Sequence, residues 1–454
     1  MISVTHRPFR KAQLKPPIII LLGFLALILV GTFLLMLPFS TRNGQSCGIL
    51  TALFTATSST CVTGLVMEDT ASFWSPFGQA VILALIQMGG LGVITISVLF
   101  ALLTGRRISL RQRFVMQESI SAPQMGGIVR LTRFLFFLVV SVELLGTLLL
   151  SFRFCALYGM KQGLWLSLFH SVSAYCNAGF DLLGTAEHPL VSLTGHCFDP
   201  LLNAVIMILI IVGGLGFFTY DDMRMHGLRL HRYHLQSKLI LTTTLILILI
   251  PTAFFFFLEF GRPVWGDLTV GQRFLLSLFQ AVTPRTAGFN TADLSLMEAP
   301  SLFLTCLLML VGGSPSSTAG GMKTTTLAVL FLCARAAVGN SHDLECFQRR
   351  VPLTALQGAV AVMLLYVTLP LVCAFAIFYL EGVPLMSAFF ETCSALGTVG
   401  LSLGLTPQLH TPSLCILILL MYLGRAGGLT LLYAIADHHQ IQPSHYPQEN
   451  VTVG

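Results

Sequence analysis

The chain has 454 residues, 55% of them hydrophobic and only 10% charged, with a mean hydropathy of +0.82 and a formal net charge of +6. A water-soluble protein of this length would be two or more domains and would need far more charge on its surface. These values exclude a soluble globular enzyme and point to a helical protein that crosses a bilayer several times.

In chain order, Arg7, Arg10, Lys11 and Lys15 lead into a first apolar run, Pro17–Pro38. The run is too long for the core of a cleavable signal, and no small-residue cleavage site follows it closely, so it is expected to be a retained helix. Further apolar runs are Pro76–Thr104, Phe134–Leu150, Leu201–Thr219, Leu239–Leu258, Leu302–Val311, Leu353–Leu380 and Ser413–Ile435. The eleven cysteines are scattered, without a Cys-x-x-Cys pair, and read as small packed hydrophobes. His226, His231 and His234 come nearest to a metal cluster, but they stand in a basic loop and read as solvated.

Eighteen of the 25 Lys and Arg residues fall in four zones. The first is the N-terminal group. The second runs from Arg106, Arg107, Arg111 and Arg113 to Arg130 and Arg133; the third holds Arg224, Arg229, Arg232 and Lys238; the fourth holds Lys323, Arg335, Arg349 and Arg350. The preference of positive loops for the cytoplasm puts all four zones inside, so each stretch between them crosses the membrane an even number of times. Two crossings per stretch give four out-and-back units, about eight spanning helices, and both termini in the cytoplasm of a cell-membrane protein.

Each unit repeats one layout: an apolar helix, a shorter semi-apolar segment, a glycine-bearing string, then a second apolar helix. The strings are Cys61-Val62-Thr63-Gly64-Leu65, Cys176-Asn177-Ala178-Gly179-Phe180, Arg285-Thr286-Ala287-Gly288-Phe289 and Gly397-Thr398-Val399-Gly400-Leu401. Their marked glycines are 115, 109 and 112 residues apart, a regularity that signals an internal repeat. Gly-Gly pairs recur in the second helices at Gly89-Gly90, Gly213-Gly214, Gly312-Gly313 and Gly427-Gly428, where small residues that let helices pack closely are the plain explanation. The expected organisation is a cytoplasmic segment over 1–16, repeats over 17–113, 114–232, 233–340 and 341–436, and a cytoplasmic tail over 437–454. The strings fall at 60–65, 176–180, 285–290 and 397–402.

The segments before the strings, such as Leu164–Tyr175, Phe274–Val282 and Pro384–Ala395, are too short to span and read as re-entrant. Non-helical backbone at membrane depth must be buried in protein or line a water-filled path. Four such turns meeting on one axis supply backbone oxygens that replace the water shell of a cation. Glycine permits the required φ values and close approach, and the residues just before it, Thr63, Ala178, Ala287 and Val399, are the expected carbonyl donors. Val62, Asn177, Thr286 and Thr398 complete the candidate ion-binding strings.

Two features interrupt the apolar pattern. Gly312–Lys323 crowds glycine, proline and serine after an apolar segment of only ten residues, so it is either a buried loop on the ion path or a simple cytoplasmic connection. Arg425 lies mid-run between Ser413 and Ile435, where a charge is costly and functional by default unless it snorkels to a helix end. Glu143 is the other intramembrane charge, with no partner that the sequence names. Arg285 and Glu391 border the strings and are a possible buttressing pair. No phosphate loop, nucleophile elbow, metalloprotease motif or paired acid cluster is present, and neither an enzyme nor a nucleic-acid partner is expected.

The combination of Thr60–Leu65, Asn177–Phe180, Arg285–Asn290 and Gly397–Ser402 over about residues 17–435 resembles the Trk/Ktr/HKT superfamily of K⁺ transporters, most closely the Ktr-type membrane subunit. The resemblance implies one K⁺ filter built from four units of one chain, with Gly64, Gly179, Gly288 and Gly400 as its glycines and K⁺ preference from Gly64. It implies a gate made of Gly312, Gly313, Ser316, Ser317, Thr318, Gly320 and Gly321 beneath the filter, touched by Arg425. It also implies a homodimer in membrane lipid on a cytosolic ring that binds nucleotides, with Na⁺ as a possible activator and no organic cofactor. Cys61 departs from the hydroxyl residue usual in such strings and is expected to report to thiol reagents from outside. A Na⁺-coupled secondary transporter is the alternative; it would call for inverted repeats and a midplane acid.

Overall fold

The computed structural model describes residues 16–92 and 128–428, except 186 and 342. The expected N-terminal segment, the tail at 437–454 and the basic positions from Arg106 to Arg113 lie outside the described residues. The described chain is mostly helical, with a single two-stranded antiparallel hairpin, β1 (Leu344–Cys346) and β2 (Arg349–Val351).

Helices fall into four groups along the sequence. The first holds α1 (Pro16–Leu35), α2 (Ile49–Thr60) and α3 (Pro76–Leu91); the second holds α4 (Ile128–Tyr158), α5 (Met160–Tyr175), α6 (Pro200–Gly214) and α7 (Phe217–His226). The third holds α8 (Leu235–Phe254), α9 (Val270–Val282), α10 (Ala299–Leu310) and α11 (Thr324–Val338); the fourth holds α12 (Leu353–Glu381), α13 (Leu385–Gly397) and α14 (Thr411–Ala426). Within groups, α1 packs on α2, α4 on α5, α8 on α9 and α12 on α13. Between groups, α3 packs on α5, α6 on α9, α10 on α13 and α14 back on α2, so the succession closes into a ring.

Local sequence explains the starts. α3, α6, α10 and α14 each carry proline in the first turn, where its missing N–H costs nothing and its fixed φ suits a helix. Ser75 caps α3 by accepting from the Gly78 N–H, Asp199 caps α6 by accepting from Leu202, and Thr269 with Gln272 forms a reciprocal capping box on α9.

Among the described residues, only the leading helix of each group has the length and composition to cross a bilayer unaided: Pro17–Leu35, Val129–Tyr158, Leu235–Glu259 and Leu353–Glu381. The later helices are shorter. Sixteen residues of α3 reach about 24 Å against about 30 Å of hydrocarbon. The reason is a glycine break. α3 ends at Gly92 (φ 84°, ψ 134°), α6 gives way to Gly216 (φ 84°, ψ 142°) and α14 ends at Gly427 (φ 85°, ψ 135°), a left-sided conformation that side-chain-bearing residues resist. The run read as continuous over Leu201–Thr219 therefore turns by 93° between α6 and α7.

The glycine pairs also need one change of register. A Cβ on Gly89 would stand 2.0 Å from the Thr60 carbonyl, on Gly213 1.9 Å from that of Tyr175, and on Gly424 2.1 Å from that of Leu396. Gly424 rather than Gly427 is thus the counterpart of Gly89 and Gly213. Each lets a later helix lie directly on the end of a short one. Gly213→Ala is expected to destabilise the fold by about 1–3 kcal/mol through overpacking. Gly271, with open space around it and an ordinary φ, is expected to tolerate alanine without loss. Thermal unfolding of both variants in detergent checks the contrast, and equal effects would contradict it.

Candidate ion pathway

The four strings share one backbone pattern. Val62, Asn177, Thr286 and Thr398, each two residues before a marked glycine, have φ of 57°, 59°, 64° and 51°, and the glycines themselves have φ of 91°, 68°, 78° and 94°. Non-glycine residues at positive φ are uncommon and strained, and their recurrence at one position in four strings marks a constrained turn. All eight residues are buried except the edge of Gly400.

The strings meet head to tail. A Cβ placed on Gly64 would stand 2.4 Å from the carbonyl oxygen of Ala178, and one on Gly179 would stand 2.6 Å from that of Ala287. One on Gly288 would be 2.3 Å from the carbonyl of Val399, and one on Gly400 2.2 Å from that of Thr63. Every marked glycine therefore abuts the carbonyl just before the next one, and the fourth returns to the first. One small cavity of about 140 Å³ is lined by Gly64, Gly179, Gly288 and Gly400 together, and Asp69 and Asp181 also line it. The Thr60, Thr63 and Thr398 hydroxyls are buried and accept or donate nothing among the described residues, as suits oxygens facing water or a cation.

The turns hang from the ends of the short helices. Ser58 Oγ accepts from the Gly64 N–H at 3.1 Å and Ser394 Oγ from the Gly400 N–H at 3.1 Å, while the Ser58, Ser173 and Ser394 carbonyls accept from Thr63, Ala178 and Val399. The Ser173 hydroxyl donates to the Phe180 carbonyl, and the Thr283 hydroxyl does the same for Phe289. Sequence reading missed these residues. Their signal was a serine six positions before three of the glycines. The Asn177 amide is best satisfied with its nitrogen donating to Ala174 O (3.0 Å) and Ile210 O (3.2 Å), which leaves its oxygen toward the Thr286 hydroxyl.

Gly312–Lys323 lies inside the protein, against the inner ends of the strings. Gly312 N donates to Met322 O at 2.8 Å and Met322 N to Leu310 O, which pinches the loop shut at its neck. Ser314 N reaches Gly214 O, the Thr318 hydroxyl donates at 3.0 Å toward both Tyr175 O and Gly213 O, and Phe217 N donates to Ser316 O at 2.8 Å. Ser317 Oγ closes an internal turn onto Ser314 O, and Gly313 faces Ala319 too closely for a Cβ. Gly320 touches the Thr398 side chain and Gly321 (φ 68°) lies beside the Gly397 carbonyl. A plain solvated connection would show none of these contacts.

Arg425 is tied to this loop. Its guanidinium donates to Thr318 O and to the Gly89 and Gly90 carbonyls at the end of α3, so it links the loop to the first group. Lys323 Nζ donates to Ala319 O at 2.8 Å. Glu143 accepts from Gln87 Nε2 at 3.1 Å and from the Cys176 thiol, whereas Arg153 pairs with Asp199.

Two expectations do not hold. Arg285 and Glu391 do not pair: Arg285 donates to the Thr244 hydroxyl, while Glu391 accepts from Ser402, Leu403 and Thr406 and so fastens the loop after the fourth string. Cys61 is fully buried beside Leu65 and Met322, so it offers no thiol to outside reagents. The His234 side chain is 75% exposed, as a solvated loop residue should be, and it bonds Asp222 at 2.6 Å; among the described residues no three His, Cys, Asp or Glu side chains are grouped to hold a metal.

Comparison with known proteins matches this arrangement. The TrkH family, described as cation transport protein, matches residues 15–444. The chain is 40% identical to the Ktr system potassium uptake protein B of Bacillus subtilis over 97% of each chain, and 37% identical to the potassium/sodium uptake protein NtpJ of Enterococcus hirae over the full length of both. Its fold matches the crystal structure of the potassium transporter TrkH from Vibrio parahaemolyticus with a TM-score of 0.72 at 19% identity, covering 94% of this chain and 86% of that one. With its ring of glycine turns set in membrane helices, the chain belongs to the TrkH family of cation transport proteins.

Proposed function

We propose that this chain takes up K⁺ through a channel-like path in which the Thr63, Ala178, Ala287 and Val399 carbonyls bind the ion and the Gly312–Lys323 loop is the gate. The observation that carries the reading is the closed succession of glycines and carbonyls, because four turns of one chain then face one axis, as oxygens that replace a cation's water shell must. On this reading each helix group is one membrane–pore–membrane repeat. The cytoplasmic orientation of both termini rests on the distribution of Lys and Arg.

The name of the Bacillus relative places it in a multi-component system, which supports a further subunit; the assembly we infer is a homodimer seated on a cytosolic nucleotide-binding ring. The name of the Enterococcus relative includes sodium, which makes Na⁺ coupling the second reading. ⁸⁶Rb⁺ uptake into liposomes containing the purified chain, with and without external Na⁺, separates the two. Uptake in the absence of Na⁺ supports the channel-like path, and strict dependence on a Na⁺ gradient supports the coupled one.

Two variants test the roles of the parts. Gly288→Ala forces a Cβ against the Val399 carbonyl and strains a residue at φ 78°, so uptake per folded protein is expected to fall at least about tenfold, about 1.4 kcal/mol. Arg425→Ala cuts the link between Thr318 and α3, and uptake is expected to rise several-fold while thermal stability changes little. Unchanged flux in either variant would remove that residue from the mechanism.

A further inference from the structure

A basic bowl shares no lining residue with the cavity among the four glycines. It has a volume of about 960 Å³ and is lined by the turn before α8 and by the β1–β2 hairpin, chiefly His231, Arg232, Lys238, Arg349 and Arg350. No carboxylate is among its lining residues, and two that bond to those residues are engaged. Asp222 accepts from His234 and Ser237, and Asp343 pairs with Arg350. Arg232 and Arg349 form no ion pair among the described residues, and Glu345 faces Arg350 across the hairpin. Lys238 is anchored by donating to His231 O at 2.8 Å, with its ammonium over the Phe347 ring at 5.8 Å.

Depth and composition decide what fits. The bowl opens at the first turn of α8, whose apolar span runs from Leu235, and β2 leads within two residues into α12, the other long apolar span. The cations therefore sit where hydrocarbon gives way to water. Its neighbourhood is also apolar in an unusual way: Leu228 is 96% exposed and Leu230 58% exposed in the turn, and Phe347 is 46% exposed at the hairpin tip. Cations beside solvent-facing apolar side chains suit an anion that carries a hydrocarbon tail, and basic pockets between membrane helices take phosphate headgroups. A free inorganic anion would make no use of the exposed leucines.

We propose that the bowl between the Leu230–Arg232 turn and the Leu344–Val351 hairpin binds the phosphate of an anionic phospholipid, with Arg232 and Arg349 as its free cations. The lipid joins the connection between the second and third helix groups to that between the third and fourth. None of these residues touches the ring of strings or the loop beneath it.

The test uses the full purified chain in phosphatidylcholine–detergent micelles doped with phosphatidylglycerol, with lipid retention read by native mass spectrometry. The wild type is expected to retain one phosphatidylglycerol in preference to phosphatidylcholine. The Arg232→Gln/Arg349→Gln double variant is expected to bind it about thirtyfold more weakly, about fivefold per charge, with unchanged thermal stability. Arg349→Lys keeps the charge and is expected to keep binding, which separates loss of charge from loss of fold. Equal retention by the wild type and the double variant, or no discrimination against phosphatidylcholine, would overturn the proposal. Displacement of the lipid by millimolar inorganic phosphate would assign the bowl to a soluble anion and overturn it equally. Because binding is read without an ion gradient, its failure leaves the pore reading untouched.

Discussion

A glycine whose missing Cβ would fall on a neighbour's carbonyl oxygen can be replaced by nothing else, and this chain places four such glycines in a closed succession. Gly64, Gly179, Gly288 and Gly400 each adopt a φ that other residues avoid, and each leaves room for one carbonyl of the next string. Everything around them serves to hold that backbone at membrane depth, where water is not available to satisfy its polar groups. Serine and threonine hydroxyls at the ends of the short helices take up N–H and C=O groups of the turns. Glu391 fastens the loop after the fourth string through three hydrogen bonds. The close seats at Gly89, Gly213 and Gly424 bring the later helices against the bases of the turns.

The inner side of the ring follows from a second constraint. Helices that end at Gly92, Gly216 and Gly427 leave open carbonyls near the axis, and the segment Gly312–Lys323 fills that space instead of a continuous helix. A buried arginine would be prohibitive there without acceptors, and the carbonyls of Thr318, Gly89 and Gly90 provide them. The charge and the helix ends thus satisfy one another. Uncapped carbonyls at a helix C-terminus are negative, and a guanidinium is the cation best shaped to meet several at once.

Much of this was legible in the sequence because it depends on spacing. The four strings declare themselves through glycines 109 to 115 residues apart, and the leading helices through uninterrupted apolar runs. The carbonyl donors named from the strings are the four that abut the glycines. What stayed hidden depends on contacts between distant segments. The break at Gly216 is flanked by Ile211 and Val212 on one side and Phe217 and Phe218 on the other, so hydropathy runs through it unbroken. Gly427-Gly428 looked like a pair equivalent to Gly89-Gly90, whereas packing selects Gly424, which has no glycine beside it. The partners of Glu143, Arg285 and Glu391 come from other elements, and no periodicity announces them. Cys61 was misjudged because its string was taken to be open to solvent, while its side chain turns into the core.

The hydrogen bond from Phe217 N to Ser316 O also has a mechanical meaning. It joins the loop below the ring to the first residue of α7, and α7 is in turn held at Asp222 by His234 and Ser237 at the start of α8. The loop is therefore not a free flap. It is the inner end of a lever whose outer arm is a ten-residue helix. Any withdrawal of the loop must either swing that arm or break this bond, together with the bonds that tie Ser314 and Thr318 to Gly214 and Gly213 at the end of α6.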